Sequence, residues 1–241
     1  MILTAHQPVY LPWIGLFHKI ALADQFVIFD TVQYLKKDWN NRNQIKTAQG
    51  PIWLTVPVLT HGKFNQSLLD VVINNTVNWR KKHLKSIETN YRKAPFFSRY
   101  IDFFKRIYEK EWEKLVDLND AMLKYFLKEL SIDVEIIYGH DLNLKGCKTD
   151  LVLDMCKKMN ASLYIFGILG KDYAELDKFD KAGIRVMFQN YTHPVYPQLW
   201  GDFVSNLSII DLLFNIGSEK ASRAVMDGNV TQNDLKGVAK I

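Results

Sequence analysis

The chain has 241 residues, of which 48% are hydrophobic and 24% are charged, the balance of a globular protein long enough to bury a substantial core. Its 31 basic and 26 acidic residues give a net charge of +5, a bias too small and too dispersed to indicate nucleic-acid binding. The mild positive charge is compatible instead with a small anionic substrate, such as a sugar nucleotide or an acyl carrier.

Cys147 and Cys156 do not form a CxxC pair, so neither a zinc site nor a disulfide framework is predicted. The first residues lack the basic and apolar regions of a signal peptide, and no later stretch reaches the ~18 uninterrupted apolar residues of a membrane span. We therefore expect a cytoplasmic protein without a membrane span.

The N-terminal segment has the pattern of a βαβ unit. Ile2–Ala5 is an apolar strand, Trp13–Ala23 is an amphipathic helix, and residues 25–30 form an apolar strand that ends in Asp30. This order within thirty residues is typical of a parallel sheet. Farther along, Ile52–Val58 and Leu69–Ile73 alternate as an antiparallel pair of strands would.

The middle of the chain is rich in helix formers and periodic aromatic residues. The pattern predicts a basic helix over about Trp79–Tyr91, a break at Pro95 and two further helices up to Leu130. We interpret the aromatic stripe as a packing face. The run "WRKKHLK" is interpreted as a solvated face, with a phosphate-facing role as the alternative.

Strands and helices alternate again after the helical region. The predicted fold is a Rossmann-like α/β fold with a mostly parallel sheet: one domain over residues 1–217, a helical insertion over about 79–130, and a polar C-terminal tail over 218–241. The remaining predicted strands are Val134–Tyr138, Ser162–Phe166 and Ile184–Gln189, and the remaining helices are Thr149–Met159 and Leu207–Asn215.

Function is expected at the carboxyl ends of the strands, where open parallel sheets bind ligands. Four such ends carry polar side chains: His6-Gln7-Pro8, Asp30, Gly167–Tyr173 and Tyr191–Tyr196. The prolines after the first strand fix an irregular loop, which presents His6 and Gln7 at the crevice rather than in the core.

His6, Asp30 and His193 are the predicted catalytic residues. The imidazoles titrate near neutral pH and suit acid–base catalysis, and Asp30 suits orienting a histidine, holding an ammonium or hydroxyl, or capping a turn. The two histidines are expected within about 10 Å of each other above the sheet. Each has a structural alternative, such as a hydrogen bond within its own loop. The other four histidines, His18, His61, His83 and His140, are interpreted as structural.

The densest polar stretch is "TVQYLKKDWNNRNQIKT", whose indole, amides and guanidinium suit a polar ligand with an anionic group. Its alternative is a long surface hairpin. "GILGKDY" suits a phosphate turn, although no Walker or GxGxxG pattern is present. No metal-ligand spacing is found, and the sequence identifies no cofactor. The predicted substrate-binding residues are Gln7, Tyr10, Trp39, Asn40, Arg42, Asn43, Lys46, Lys171, Asp172, Tyr173, Tyr191 and Tyr196.

Six segments together resemble a known family: "HQPVYLPWIGLFHKI", "FVIFDTVQYLKKDWNNRNQIKT", "WLTVPV", "YRKAPFF", "YTHPVYPQ" and "NLSIIDLLFNIG". In this order, from about Met1 to Gly217, they are similar to the WbqC-like proteins of bacteria. The resemblance implies a role in the biosynthesis of O-antigen, the lipopolysaccharide chain, or of other surface polysaccharides or natural products.

The predicted function is acyl or aminoacyl transfer to an amino sugar or a similar amine, with an imidazole removing the amine proton. Neither cysteine has a neighbouring histidine, so direct transfer is favoured over a covalent intermediate. One alternative is a non-catalytic binding or assembly protein of a polysaccharide pathway. The other is a nucleotidyltransferase, although "WIGLFHKI" lacks the paired histidines of the HIGH-type enzymes.

Overall fold

The computed structural model describes residues 1–237, which contain one five-stranded sheet, one two-stranded hairpin and eight α-helices. The strands are β1 (Ile2–His6), β2 (Gln25–Ile28), β3 (Arg42–Thr47), β4 (Gly50–Thr55), β5 (Glu135–Tyr138), β6 (Leu163–Phe166) and β7 (Arg185–Phe188). The helices are α1 (Ile14–Ala21), α2 (Trp79–Tyr91), α3 (Phe97–Glu109), α4 (Leu115–Glu129), α5 (Thr149–Lys158), α6 (Leu176–Lys181), α7 (Ile209–Met226) and α8 (Gln232–Gly237).

The large sheet has the order β5-β2-β1-β6-β7, and every neighbouring pair is parallel. The predicted Rossmann-like fold is therefore confirmed, and the carboxyl ends of the five strands lie along one edge. Successive strands are added on one side of β1 as far as β5, and then on its other side from β6. The order reverses between β1 and β6, which is where such sheets open a ligand crevice.

The sheet is buried on both faces, which explains why its strands are almost continuously apolar. Successive residues of a strand point to opposite faces, and the core divides accordingly. Toward α5 and α6 point Leu3, Ala5, Val27, Tyr164 and Phe166. Toward α1 and the remaining helices point Ile2, Phe26, Ile28, Leu163 and Ile165.

The helical insertion forms where it was predicted, with three helices between residues 79 and 129. Its aromatic residues pack against one another as a core face, as predicted. Phe214 of α7 lies at their centre, stacked on Tyr91 at 5.0 Å between ring centroids and contacting Tyr100 and Phe104 at 5.9 and 5.7 Å. The aromatic cluster thus fixes the insertion to the last long helix.

The antiparallel pair differs from the prediction. β3 pairs with β4 over residues 42–47 and 50–55, whereas Ile52–Val58 and Leu69–Ile73 meet only at one bridge, Val58 with Ile73. The reason is the turn between β3 and β4. Gly50 adopts a φ of 103°, which favours glycine, and the Thr47 hydroxyl donates to the Gly50 carbonyl at 2.7 Å.

The last long helix extends into the segment assigned to the polar tail. α7 continues to Met226 past a non-helical Gly217, and Ala221 and Val225 of its second half are buried. Residues 238–241 of the predicted tail lie outside the described residues. Within residues 1–237, no helix combines the length and the apolar character needed to cross a membrane.

Replacing Gly217 by Ala should lower the free energy of unfolding by about 3 kcal/mol, since φ is 75° and a Cβ would lie 2.6 Å from the Phe96 ring. Gly228 is a matched control, because its φ is 68° but no atom lies within 4 Å of its added Cβ. Gly228→Ala should cost only the backbone strain, about 1 kcal/mol. Chemical denaturation measures both, and equal losses would contradict the role of the Phe96 contact.

Candidate functional site

A cavity of about 580 Å³ opens at the carboxyl ends of β1 and β6, where the strand order reverses. Its volume is in the range of sites for small molecules. Six of the residues predicted from the sequence line it, namely His6, Gln7, Trp39, Asn40, Tyr173 and Tyr191. Further walls come from Trp13, Gly15 and Lys19 of the first helical segment, from Gly167–Gly170 after β6, and from Asn190 and Asn206.

His6 is the last residue of β1, and its ring meets Trp13 edge-on at 5.3 Å between centroids. Its Nδ1 lies 2.9 Å from the Gln7 carbonyl oxygen. Because a carbonyl oxygen only accepts hydrogen bonds, Nδ1 carries the proton and Nε2 keeps a free lone pair. Burial, followed by the charge of Lys19, lowers the pKa of His6 to about 3. His6 is therefore a neutral hydrogen-bond acceptor at physiological pH.

Lys19 lies one helical turn after Gly15, so both face the cavity from the same side of α1. The side chain is only 4% exposed, and its ammonium donates to the Ala5 carbonyl at 2.9 Å. Among the described residues, no carboxylate pairs with it. Burial alone accordingly lowers the pKa of Lys19 to about 7.

Two asparagine side chains hold the proline-containing loop that follows β1. The Asn40 amide donates to the Pro8 carbonyl at 2.9 Å and to the Gln7 side chain at 3.1 Å, and the Asn43 amide donates to the Leu11 carbonyl. These bonds satisfy loop carbonyls that lie outside the sheet. The Asn40 side-chain oxygen is buried and has no partner among the described residues.

Arg42 and Lys46 do not face the cavity, although both were predicted to bind substrate. The Arg42 guanidinium lies 4.3 Å from the centre of the Trp53 ring and donates to the Lys37 carbonyl. Lys46 is buried beside Gln198, to which it donates at 2.9 Å. Asp211 lies near it and accepts from Tyr91 and Tyr196 at 2.8 and 2.9 Å.

Asp30 is buried against His140, a residue interpreted from the sequence as structural. Its carboxylate accepts from the backbone N–H of His140 at 3.0 Å and contacts the His140 ring at 2.5 Å. This contact raises the pKa of His140 above its ordinary value. Asp30 thus joins β2 to the turn after β5 and is not among the residues that line the cavity.

His193 also lies outside the cavity lining, and both of its ring nitrogens are used. Nδ1 donates to the Pro194 carbonyl at 2.8 Å, and Nε2 accepts from the backbone N–H of Asn206 at 3.2 Å. Burial lowers its pKa. His193 consequently holds Asn206, which does line the cavity.

The other predicted binding residues are divided between the surface and the core. Lys171 and Asp172 are exposed beside the cavity mouth but do not line it. Tyr10 is buried in the helical region, where its hydroxyl bonds to His83 at 2.8 Å and to Tyr108 at 2.5 Å. Within residues 1–237, no cluster of three or more His, Cys, Asp or Glu side chains is arranged to hold a metal ion.

Sequence reasoning missed Lys19, Asn190 and Asn206. A lysine on an amphipathic helix is ordinarily assigned to the solvent side. The position of Lys19 in the predicted βαβ unit could have identified it. Lys19 lies one helical turn after Gly15 on α1, and its side chain reaches the end of β1.

Fold and cavity define a doubly wound α/β protein with a pocket at the point where the strand order reverses. The chain belongs to the WbqC-like protein family, whose sequence model matches residues 7–223. It is 39% identical over 215 residues to "Uncharacterized protein Rv1507c" of Mycobacterium tuberculosis (strain ATCC 25618 / H37Rv), covering 88% of this chain and 93% of that protein. No solved structure matches the chain.

Lys19→Met should stabilise the protein at pH 6 by roughly 2–4 kcal/mol. The folded pKa of about 7 lies below the ordinary 10.5, so the charge penalty is fully present below pH 7 and fades as the pH rises toward 10.5. The gain should therefore shrink between pH 7 and 10. Denaturation at pH 6 and pH 9.5 measures it, with the exposed Lys157→Met as control. A gain independent of pH would contradict the assignment.

Proposed function

We propose that this protein is a transferase that moves an acyl or aminoacyl group to the amine of an amino sugar or a similar small amine. The observation that carries the proposal is the neutral His6 ring, whose free Nε2 lies in a cavity at the carboxyl ends of β1 and β6. An unprotonated nitrogen at this position accepts a hydrogen bond from an amine and orients its lone pair toward an acyl carbon.

In the proposed reaction, the amine nitrogen attacks the acyl carbonyl carbon. A C–N bond forms, the bond from the acyl carbon to the leaving group breaks, and one amine proton is released. As the C–N bond forms, the attacking nitrogen becomes acidic, and His6 Nε2 accepts its proton and passes it to the departing group.

The residues present favour direct transfer over an acyl-enzyme. Among the described residues, the cavity walls carry no cysteine or serine. Cys156 is a buried residue of α5, and burial raises its pKa to about 12, so its thiolate form is scarce at neutral pH.

The family supports the pathway context. Resemblance to WbqC-like proteins supports a substrate from the biosynthesis of O-antigen, another surface polysaccharide or a natural product. The aromatic wall formed by Trp13 and Trp39, whose rings lie 5.8 Å apart, suits packing against a sugar ring.

One observation counts against the nucleotidyltransferase alternative. His18 donates from Nε2 to the Val230 carbonyl at 3.0 Å, and its Nδ1 accepts from the Gln189 amide at 2.8 Å. With both nitrogens engaged inside the protein, His18 has no free group for the phosphates of ATP.

His6→Gln should lower the rate of acyl transfer by about 10²-fold with little change in melting temperature, because the residue supplies proton transfer rather than core packing. His193→Gln is the matched control: it should lower the melting temperature and reduce the rate less than tenfold. The measurement is mass-spectrometric detection of acylated amino-sugar nucleotides against a panel of acyl thioesters.

Binding of these compounds without turnover in the wild-type protein would favour the non-catalytic binding protein. A His6→Gln protein that keeps its rate and loses its stability would make His6 structural and remove the proposed base.

A further inference from the structure

Lys19 is a buried lysine that has no counter-charge among the described residues. The residue is only 4% exposed in the wall of the cavity, and among the described residues its ammonium bonds only to the neutral carbonyl of Ala5, at 2.9 Å. A buried ammonium without a counter-charge is costly, and proteins ordinarily pair such a group. The missing counter-charge can be brought into this cavity by a ligand.

The start of α1 adds positive potential at the same wall. Trp13 provides no side-chain cap, and the first turn contains no acidic residue. Gly15, in this first turn, lines the cavity together with Lys19 one turn later. Lys19 itself lies in the last turn of this eight-residue helix, so the helix N-terminus adds positive potential at the Gly15 part of the wall and the ammonium supplies the charge at Lys19.

We infer that Lys19 is the anion-recognition residue of the cavity and binds a carboxylate or phosphate oxygen of the substrate. The inference rests on the proposed function in taking this cavity as the substrate site, and it specifies that one substrate carries its negative charge next to His6. An anion on Lys19 screens the ammonium that helps to keep His6 unprotonated. Anion binding therefore also makes His6 a stronger base.

The pH dependence of anion binding is set by the titratable groups that line the cavity around Lys19. Those that line the cavity with it are His6 from β1, Asp38 from the segment before β3, Tyr164 from β6, and Tyr173 and Tyr191 from the loops after β6 and β7. Asp38 accepts from the backbone N–H of Trp39 at 2.7 Å. Burial raises the pKa values of Tyr164, Tyr173 and Tyr191, so they remain neutral. Lys19 consequently titrates first as the pH rises above 7.

The test compares acetate with acetamide, which has the same shape and no charge, by titration into the isotopically labelled protein followed by NMR. Acetate affinity should be nearly constant between about pH 5.5 and 6.5, where acetate is ionised and Lys19 is protonated, and should fall by up to tenfold per pH unit above pH 7, since the neutral amine must take up a proton to bind an anion. Acetamide affinity should not change with pH. Sulfate tests whether a phosphate-like oxyanion behaves as acetate does.

Three variants complete the experiment. Lys19→Met should abolish the preference for acetate over acetamide, and Lys19→Arg should keep the preference and lose its pH dependence, since guanidinium stays charged. Lys157→Met, which removes an exposed lysine of α5, should behave as wild type. The inference is overturned if acetate binds no better than acetamide at pH 6, or if Lys19→Met retains the preference. The titrations measure binding and not turnover, so their outcome does not depend on whether the transfer assay succeeds.

Discussion

The site depends on the hydrogen bonds from Asn40 and Asn43 to the carbonyls of Pro8 and Leu11. Prolines prevent the segment after β1 from joining the sheet or α1, so its carbonyls need partners from elsewhere. The asparagines are contributed by the start of the β3–β4 hairpin, and Asn119 of α4 in turn donates to the Asn40 carbonyl at 2.8 Å. The sheet, the hairpin and the helical insertion therefore share one hydrogen-bond network. This network fixes the loop that follows β1 and, with it, the orientation of His6 at the end of the strand.

A second buried polar cluster keeps the hairpin in place from the opposite side. Asp211 of α7 accepts from Tyr91 of α2, and the Tyr91 hydroxyl also accepts from the backbone N–H of Lys46 at 3.0 Å. Burial raises the pKa of Asp211, whereas these hydrogen bonds oppose the rise. The polar residues of "NQIK", which suggest ligand binding when read locally, thus include side chains that join elements of the fold.

The sheet could be predicted from the sequence because a parallel sheet requires continuous apolar runs separated by helices, and Ile2–His6, Leu163–Phe166 and their neighbours have that pattern. Part of the site could be predicted by the same rule, since His6 and Tyr191 follow strand ends. The direction in which a side chain points could not be predicted, because it depends on residues far away in the chain. Asp30 turns toward His140, 110 residues later, and Lys46 toward Gln198, 152 residues later.

The central position of β1 has a consequence for how the protein is made. Ile2 pairs with Leu163, so one edge of β1 stays unpaired until more than 160 further residues have been translated. During that interval, an apolar strand with open backbone groups is exposed to other chains. The long sequence separation also slows folding, because the loop must close before the pairing is formed. A nascent chain that is shortened before β6 therefore has neither a closed sheet nor a cavity.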